Sequence, residues 1–253
     1  MNINFKFLGQ CGFIISTDDL KIAIDPCLND LIENGTTIRN YPAVMDPENL
    51  NADYIFCTHD HIDHLAPETI CRAAKNSNTK FIVPKGCVKI LTDLGIENFR
   101  ITSVSDNQTV DFEKFSVKGI STAHPVHQLD CDGNDWNLAY CIYLDGKKLV
   151  HLGDTYGTSR LEKSLKDLGA IDCLMTPING MDEQKAKAGI IGNLSIEEAV
   201  SITALLCPKS VIPTHFDMVK GNTADPQKFL EQMNKKNPGI KVYIPDLKND
   251  IQI

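Results

Sequence analysis

A single α/β domain spanning residues 1–253 is the fold class the sequence predicts, and three observations carry that prediction. The chain has 253 residues, 42% hydrophobic and 23% charged, enough apolar material for one full core. Period-two strand patterns at the start give way to strands that alternate with helical patterns further on. No low-complexity run, long linker or repeat offers a place to divide it.

The elements follow in order. Asn4 to Leu8, Gly12 to Ser16 and Lys21 to Ile24 alternate in period two between Gly and Asp turns, so an antiparallel sheet begins the fold. Residues 28–50 carry turn formers without a clean period and read as a long loop of the kind that lines binding sites. Tyr54 to Thr58 is a buried strand running into His59; Pro67 opens a helix to about Lys75, and Phe81 to Pro84 is the next strand. Phe115 to Ala123 predicts a strand ending at His124, and Leu138 to Leu144 pairs with Lys147 to Leu152 across Asp145-Gly146, delivering Gly153-Asp154. Ser195 with Glu198 forms a capping box for a helix to about Leu206, and Ser210 to Thr214 is a strand that stops at His215. Strands ending in His or Asp recur, and strand ends are where a rigid frame presents chemistry.

Charge narrows the partners. A net charge of −8 without Lys/Arg clusters opposes nucleic acid and anionic membranes, which leaves a small-molecule substrate and leaves a homo-oligomer open. The start, MNINFKFLGQ, has no basic segment followed by an apolar one, and no apolar run is long enough to span a bilayer. Nine scattered cysteines with no CxxC pair suit buried, reduced thiols. Together these predict a cytoplasmic protein.

The chemistry concentrates in His59-Asp60-His61-Ile62-Asp63-His64. Three imidazoles and a carboxylate packed this closely after an apolar strand are unfavourable unless a cation organises them. His59 and His61, two apart on an extended segment, project to one side and reach one ion; Asp63 and His64 in the next turn reach a second. Imidazole and carboxylate together suit zinc, manganese or iron as divalent ions, one or two per chain.

HxHxDH resembles the signature of the metallo-β-lactamase superfamily, and FLGQCGFIIS followed by KIAIDP is similar to that family's first strands and their Asp. The resemblance implies a four-layer αββα sandwich, two packed mixed β-sheets flanked by helices, with metals at one edge. It implies that Asp25 braces the HxHxDH loop from behind. It also implies that His124 in STAHP completes a three-His site with His59 and His61. By the same resemblance Asp154 in HLGDT bridges two metals, and His215 in IPTHFDM joins Asp63 and His64. Within the superfamily, YPAVMDPENL, PING and IPTHFDM look most like the branch of L-ascorbate-6-phosphate lactonase. The chain has neither the Cys at position 154 nor the export signal of secreted β-lactamases, no Glu for His61 as in flavo-diiron proteins, and no basic arm as in tRNA nucleases.

The function so implied is a metal-dependent hydrolase in which paired cations make water nucleophilic at neutral pH. It would act on a small anionic metabolite such as a sugar-phosphate lactone, with Asp63 and Asp154 as catalytic carboxylates. A phosphodiesterase of the same fold is the alternative within catalysis, and a non-catalytic metal-binding module the alternative outside it. His127 is a rival to His124, although the strand end favours His124. His151 reads as a hydrogen-bonded histidine in the core or behind the ligands, Asp60 as a surface or capping residue, and Trp136 as either a wall of the pocket or loop packing. Arg39, Arg160, Lys185 and Lys187 are the candidate anion contacts, each reading first as a surface charge and none singled out.

Overall fold

A computed structural model of the chain describes residues 2–253. The first half runs β1 (Asn4–Gly9), β2 (Gly12–Ser16), β3 (Lys21–Ile24), β4 (Ile32–Glu33), β5 (Thr36–Thr37), β6 (Tyr54–Phe56), α1 (Pro67–Ala73), β7 (Lys80–Pro84), α2 (Val88–Asp93) and β8 (Ile101–Val104). The second half begins with β9 (Thr109–Asp111), β10 (Phe115–Ser121), β11 (Leu138–Leu144), β12 (Lys147–His151), α3 (Ser159–Lys166), β13 (Cys173–Pro177) and α4 (Glu183–Lys187). It ends with α5 (Ile196–Leu206), β14 (Ser210–Thr214), α6 (Pro226–Lys236), β15 (Lys241–Val242) and β16 (Ile251–Gln252). Two seven-stranded sheets result, β16-β1-β2-β3-β6-β7-β8 and β15-β14-β13-β12-β11-β10-β9. Both are mixed: β1, β2 and β3 pair antiparallel and β3, β6, β7 and β8 parallel, as β10, β11 and β12 pair antiparallel and β12, β13 and β14 parallel.

Alternation along the strands explains why the first sheet is covered twice. Phe13, Ile15, Ile22, Ile24, Phe56 and Ile82 face the second sheet and pack in one core with Val117, Ile120, Tyr140 and Leu149. Their neighbours Ile14, Ala23, Ile55, Phe81 and Val83 point the other way, onto Ile70 and Ala73 of α1 and Leu91 of α2. Each such buried side chain stabilises the fold by roughly 1.5–3 kcal/mol. On the far side α5 and α6 pack Val200, Phe229 and Met233 into the same connected cluster of buried residues. The layers are therefore α, β, β, α, the four-layer sandwich expected, and no helix among the described residues is long and apolar enough to cross a membrane.

Departures from the expected elements are local. The stretch 28–50 is not one loop: β4 and β5 form a small antiparallel hairpin, and Pro47–Asn49 a 3-10 turn capped by Asp46. Two-residue strands are too short for a period to register. The strand from Phe115 stops at Ser121, so His124 lies three residues beyond it. Six of the nine thiols are buried and none is paired, but Cys71, Cys131 and Cys207 are exposed, against the expectation that all are interior.

Candidate functional site

The HxHxDH loop is pinned at its root. Past β6, Cys57 N donates to Ile82 O at 3.0 Å, Leu138 N to Thr58 O at 3.0 Å and Tyr140 Oη to Cys57 O at 3.0 Å, so both sheets hold it. His64 N and Leu65 N then both donate to His61 O, at 2.9 and 2.8 Å, which turns the chain sharply. Behind the turn, fully buried Asp25 accepts from Thr58 N at 2.7 Å, Thr58 Oγ1 at 2.8 Å and His64 Nδ1 at 2.7 Å. That fixes the tautomer of His64 and turns its Nε2 inward.

The second half supplies one residue per loop. After β12, Gly153 takes φ +59°, and a Cβ there would lie 2.8 Å from Thr58 Cβ. Only glycine lets Asp154 approach the loop this closely. His215 follows β14 directly with φ 57°, its N donating to Gln10 O at 2.8 Å. Gln10 (φ 58°) and Asp25 (φ 45°) share that left-handed conformation, which costs a non-glycine residue roughly 1 kcal/mol or more and concentrates at functional sites.

All seven proposed ligands and Asp25 converge. Ligand atoms of His59, His61, His124 and Asp154 lie within 4.8 Å of one another, as do those of Asp63, His64 and His215. Asp154 joins the two sets: Oδ1 is 3.2 Å from His64 Nε2, and Oδ2 is 3.1 Å from His215 Nε2 and 3.5 Å from His124 Nε2. His59 Nε2 and His124 Nδ1 are buried without a hydrogen-bond partner. Unsatisfied buried polar atoms are costly and rare, and two of them on one cluster fit a site built for cations.

The imidazoles divide electrostatically. Burial pushes His59 down and His124 down to about 4. Burial works the same way on His64 and His215, but the carboxylates overcome it: Asp154, Asp25 and Asp63 lift His64, and Asp154 and Asp63 lift His215 to about 9. In return, against burial that raises them, His64 and His215 hold the Asp63 and Asp154 carboxyls well below the usual range.

Gln10, Cys11, Tyr41 and Asp217 are the site residues that sequence reasoning missed. Gln10 Nε2 donates to Asp63 Oδ2 at 2.9 Å and lies 3.0 Å from His215 Nε2. Asp217 accepts from Gln10 N at 2.9 Å and from Tyr41 Oη at 2.5 Å, and the Cys11 thiol reaches Asp154 Oδ1 at 3.7 Å. The one signal for Gln10, Cys11 and Asp217 is proximity, in GQCG and THFD, to motif residues; Tyr41 stands at the head of YPAVMDPENL with no such neighbour. His127 is not in the cluster; its Nδ1 is 3.1 Å from Ser121 Oγ. His151 lies in the core, its Nε2 2.9 Å from Cys11 O. Trp136 walls a shallower neighbouring cleft with Asp60 and His127 rather than the one at the cluster.

The cleft at the cluster, about 390 Å³, opens onto His61, Asp63, His124, Asp154 and His215. None of its lining residues is Lys or Arg. Arg39 is buried and donates to the carbonyls of Cys27, Asn29 and Tyr41, with Nη2 unpartnered. Lys185 binds the carbonyls of Asn179 and Gly180, Arg160 pairs with Asp106 at 2.8 Å and Lys187 with Glu183 at 2.7 Å. Sequence cannot show that a cation is already engaged.

A sandwich with a His/Asp cluster at the ends of its strands defines the class, a metallo-β-lactamase-fold protein with a candidate metal centre. Residues 4–215 match the family described as Beta-lactamase superfamily domain, and the chain belongs to it. It is 28% identical over 240 residues to a UPF0173 protein of Pyrococcus furiosus, covering 95% of this chain and 94% of that one. It is 27% identical over 250 residues to a UPF0173 metal-dependent hydrolase of Carboxydothermus hydrogenoformans, covering 96% and 97%. Among solved structures, Igni18, a metallo hydrolase from Ignicoccus hospitalis, superposes with a TM-score of 0.74 at 22% identity, covering 100% of this chain and 99% of that one.

Proposed function

We propose that the cluster holds one or two divalent cations, zinc, manganese or iron, and that the chain hydrolyses a small ester metabolite, a lactone foremost. The observation that carries this is the pair of unpartnered imidazole nitrogens on His59 and His124, beside an Asp154 that touches both ligand groups. His59, His61 and His124 would hold one cation, Asp63, His64 and His215 the other, and Asp154 both. When bound, such cations lower the pKa of water toward neutrality and polarise the bond under attack.

The chain's own residues do the rest. Asp25 holds His64 in one tautomer, and Gln10 orients Asp63 through its 2.9 Å hydrogen bond. The Asp63 side chain is 16% exposed against 3% for Asp154, which supports Asp63, or a water beside it, as the group that would carry a proton to the leaving oxygen. Nothing in the lining would bind the phosphate of a sugar-phosphate lactone through Lys or Arg, so it is the ester, rather than the anion, that these residues support. Nine unpaired thiols favour the reducing cytoplasm as its compartment.

Elemental analysis of the purified protein, paired with turnover of lactones and of bis-p-nitrophenyl phosphate before and after chelation, tests the reading. Metal-dependent lactone opening is expected. Phosphodiester cleavage without lactone opening would move the activity to a phosphodiesterase, and activity that survives full metal removal would rule out hydrolysis by metal-activated water.

A further inference from the structure

We propose that the cleft selects an uncharged substrate with an apolar arm of several carbons, an alkyl- or aryl-substituted ester or lactone, lying against Leu31, Ile38, Ile62, Ile190, Ile191 and Val219. This rests on the hydrolase reading and adds to it the class of molecule that the pocket admits.

The wall is a built surface. Leu31 and Ile38 flank the β4–β5 hairpin, and the segment after His215 is stitched to it: Asn40 N donates to Met218 O and Lys220 N to Ile38 O, both at 2.8 Å, with Arg39 and Val219 bridged. Cys27, Leu31, Ala66 and Met218 form a separate small core beneath, against which Ile38 and Val219 pack. On the other side Ile190 N donates to Lys185 O at 2.9 Å, and the Lys185 ammonium is spent on the Asn179 and Gly180 carbonyls. The cations of these loops thus order the backbone and turn away from the cleft, while their aliphatic neighbours line it.

Exposure on the rim points the same way. Among the described residues the large exposed hydrophobics are Ile32 at 58%, Ile62 at 54%, Val126 at 61%, Leu129 at 56%, Met181 at 42%, Phe99 and Leu205. Of these, Ile62 lines this cleft, Ile32 directly follows its Leu31, and Val126 and Leu129 line the neighbouring cleft, which meets it at Asp60. Clustered exposed apolar side chains mark a binding surface, whereas scattered ones mean nothing. The chain's net charge of −8 and a lining with Asp60 but no Lys or Arg disfavour an acidic arm. A cleft of about 390 Å³ lies within the usual range for a small-molecule site.

The test is calorimetric binding of hydroxamic acids to the full chain, with its metal content verified by elemental analysis. The series runs from two to eight acyl carbons, plus six-carbon members ending in carboxylate or ammonium. Affinity is expected to rise about fourfold per added methylene, from roughly 0.8 kcal/mol each, with both charged tails at least about tenfold weaker than the neutral chain of equal length. Ile190→Ala and Val219→Ser should flatten the slope at unchanged metal content. A flat series, no binding by the metal-loaded protein, or tighter binding of the carboxylate tail, which would hand recognition to the unpartnered Nη2 of Arg39, overturns the proposal. Matching esters separate the two readings: a chain-length slope in binding with no ester cleaved would leave the ligand class standing and sink the hydrolase, and cleavage without a slope would do the reverse.

Discussion

In the N-terminal sheet, β16-β1-β2-β3-β6-β7-β8, the antiparallel strands come first and the parallel ones after β3; in the C-terminal sheet, β9 to β15, the same change comes at β12. The pairing scheme is repeated, and the furnishing differs. The first half places His59, His61, Asp63 and His64 on a single turn after β6, braced by Asp25 from the end of β3. The second half sends His124, Asp154 and His215 from three separate strand ends. One half concentrates donors where local turn geometry sets their spacing; the other relies on packing of whole strands to bring its three into register. Damage should therefore spread differently: a defect in the turn disorders several donors at once, whereas in the second half His124 and His215 each act on one ligand set and only Asp154 reaches both.

The largest effect is expected from Asp154→Ala, because that carboxylate touches His64, His124 and His215. Elemental analysis should show loss of both cations, and hydrolysis should fall by more than the roughly 100-fold that loss of an outer hydrogen-bond partner costs. Asp25→Asn comes next, with metal affinity and activity down roughly 10- to 100-fold, since Thr58 and His64 lose their shared acceptor. Equal losses in the two variants would erase the distinction between residues that hold and residues that brace. Gln10→Ala should cost about tenfold in activity with partial metal retention, as it frees Asp63 and His215 without removing a ligand.

Acid–base behaviour sharpens the comparison further. Lowered pKa values leave His59 and His124 neutral near pH 7, so a cation entering there displaces no proton from either. His64 and His215 stay protonated up to the raised values, about 9 for His215, so loading beside them must expel protons and strengthens as pH rises. Calorimetry at pH 7.5 in buffers of different ionisation heat should read about two protons released per fully loaded chain. Release of none would contradict the ion pairs described. In the metal-free protein the sign is linked to folding. Raised His64 and His215 contribute stability that is present below their unfolded pKa, about 6.5, and lost as pH climbs through the folded value; lowered His59 and His124 withdraw stability below about 6.5.

The smallest change lies away from the cluster. Asp225 caps α6 by accepting from Gln227 N at 2.9 Å. Asp225→Ala should cost about 1 kcal/mol, lowering Tm by about 2–4 °C while kcat and metal content stay as they were. A loss of metal in that variant would show that the C-terminal strands hold their residues less rigidly than the packing implies.

Much of this was legible beforehand for a common reason. Hydrophobic alternation is a property of neighbours in sequence, so β2, β3, β11 and β14 stand at the expected bounds, and the Ser195–Glu198 box caps α5 as its spacing demands. The HxHxDH turn was equally visible, because its donors are adjacent. The β4–β5 hairpin escaped notice since two residues carry no period, and Gln10 because a lone carboxamide in GQCG has no pattern to betray it. Arg39 looked like a free cation and proves to be caged by three carbonyls.

What the amino-acid order determined by itself was thus the α/β alternation, the sheet-forming segments and the dense half of the site, all written within a few residues of one another. Only the tertiary structure decided the distances at which Asp154 meets both ligand sets, that Gln10 stands behind them, and that the cleft is walled by aliphatic side chains while Arg39 and Lys185 are engaged on backbone carbonyls. Those outcomes depend on contacts between residues tens to hundreds of positions apart. Such contacts are set by packing two sheets face to face, which no local pattern encodes.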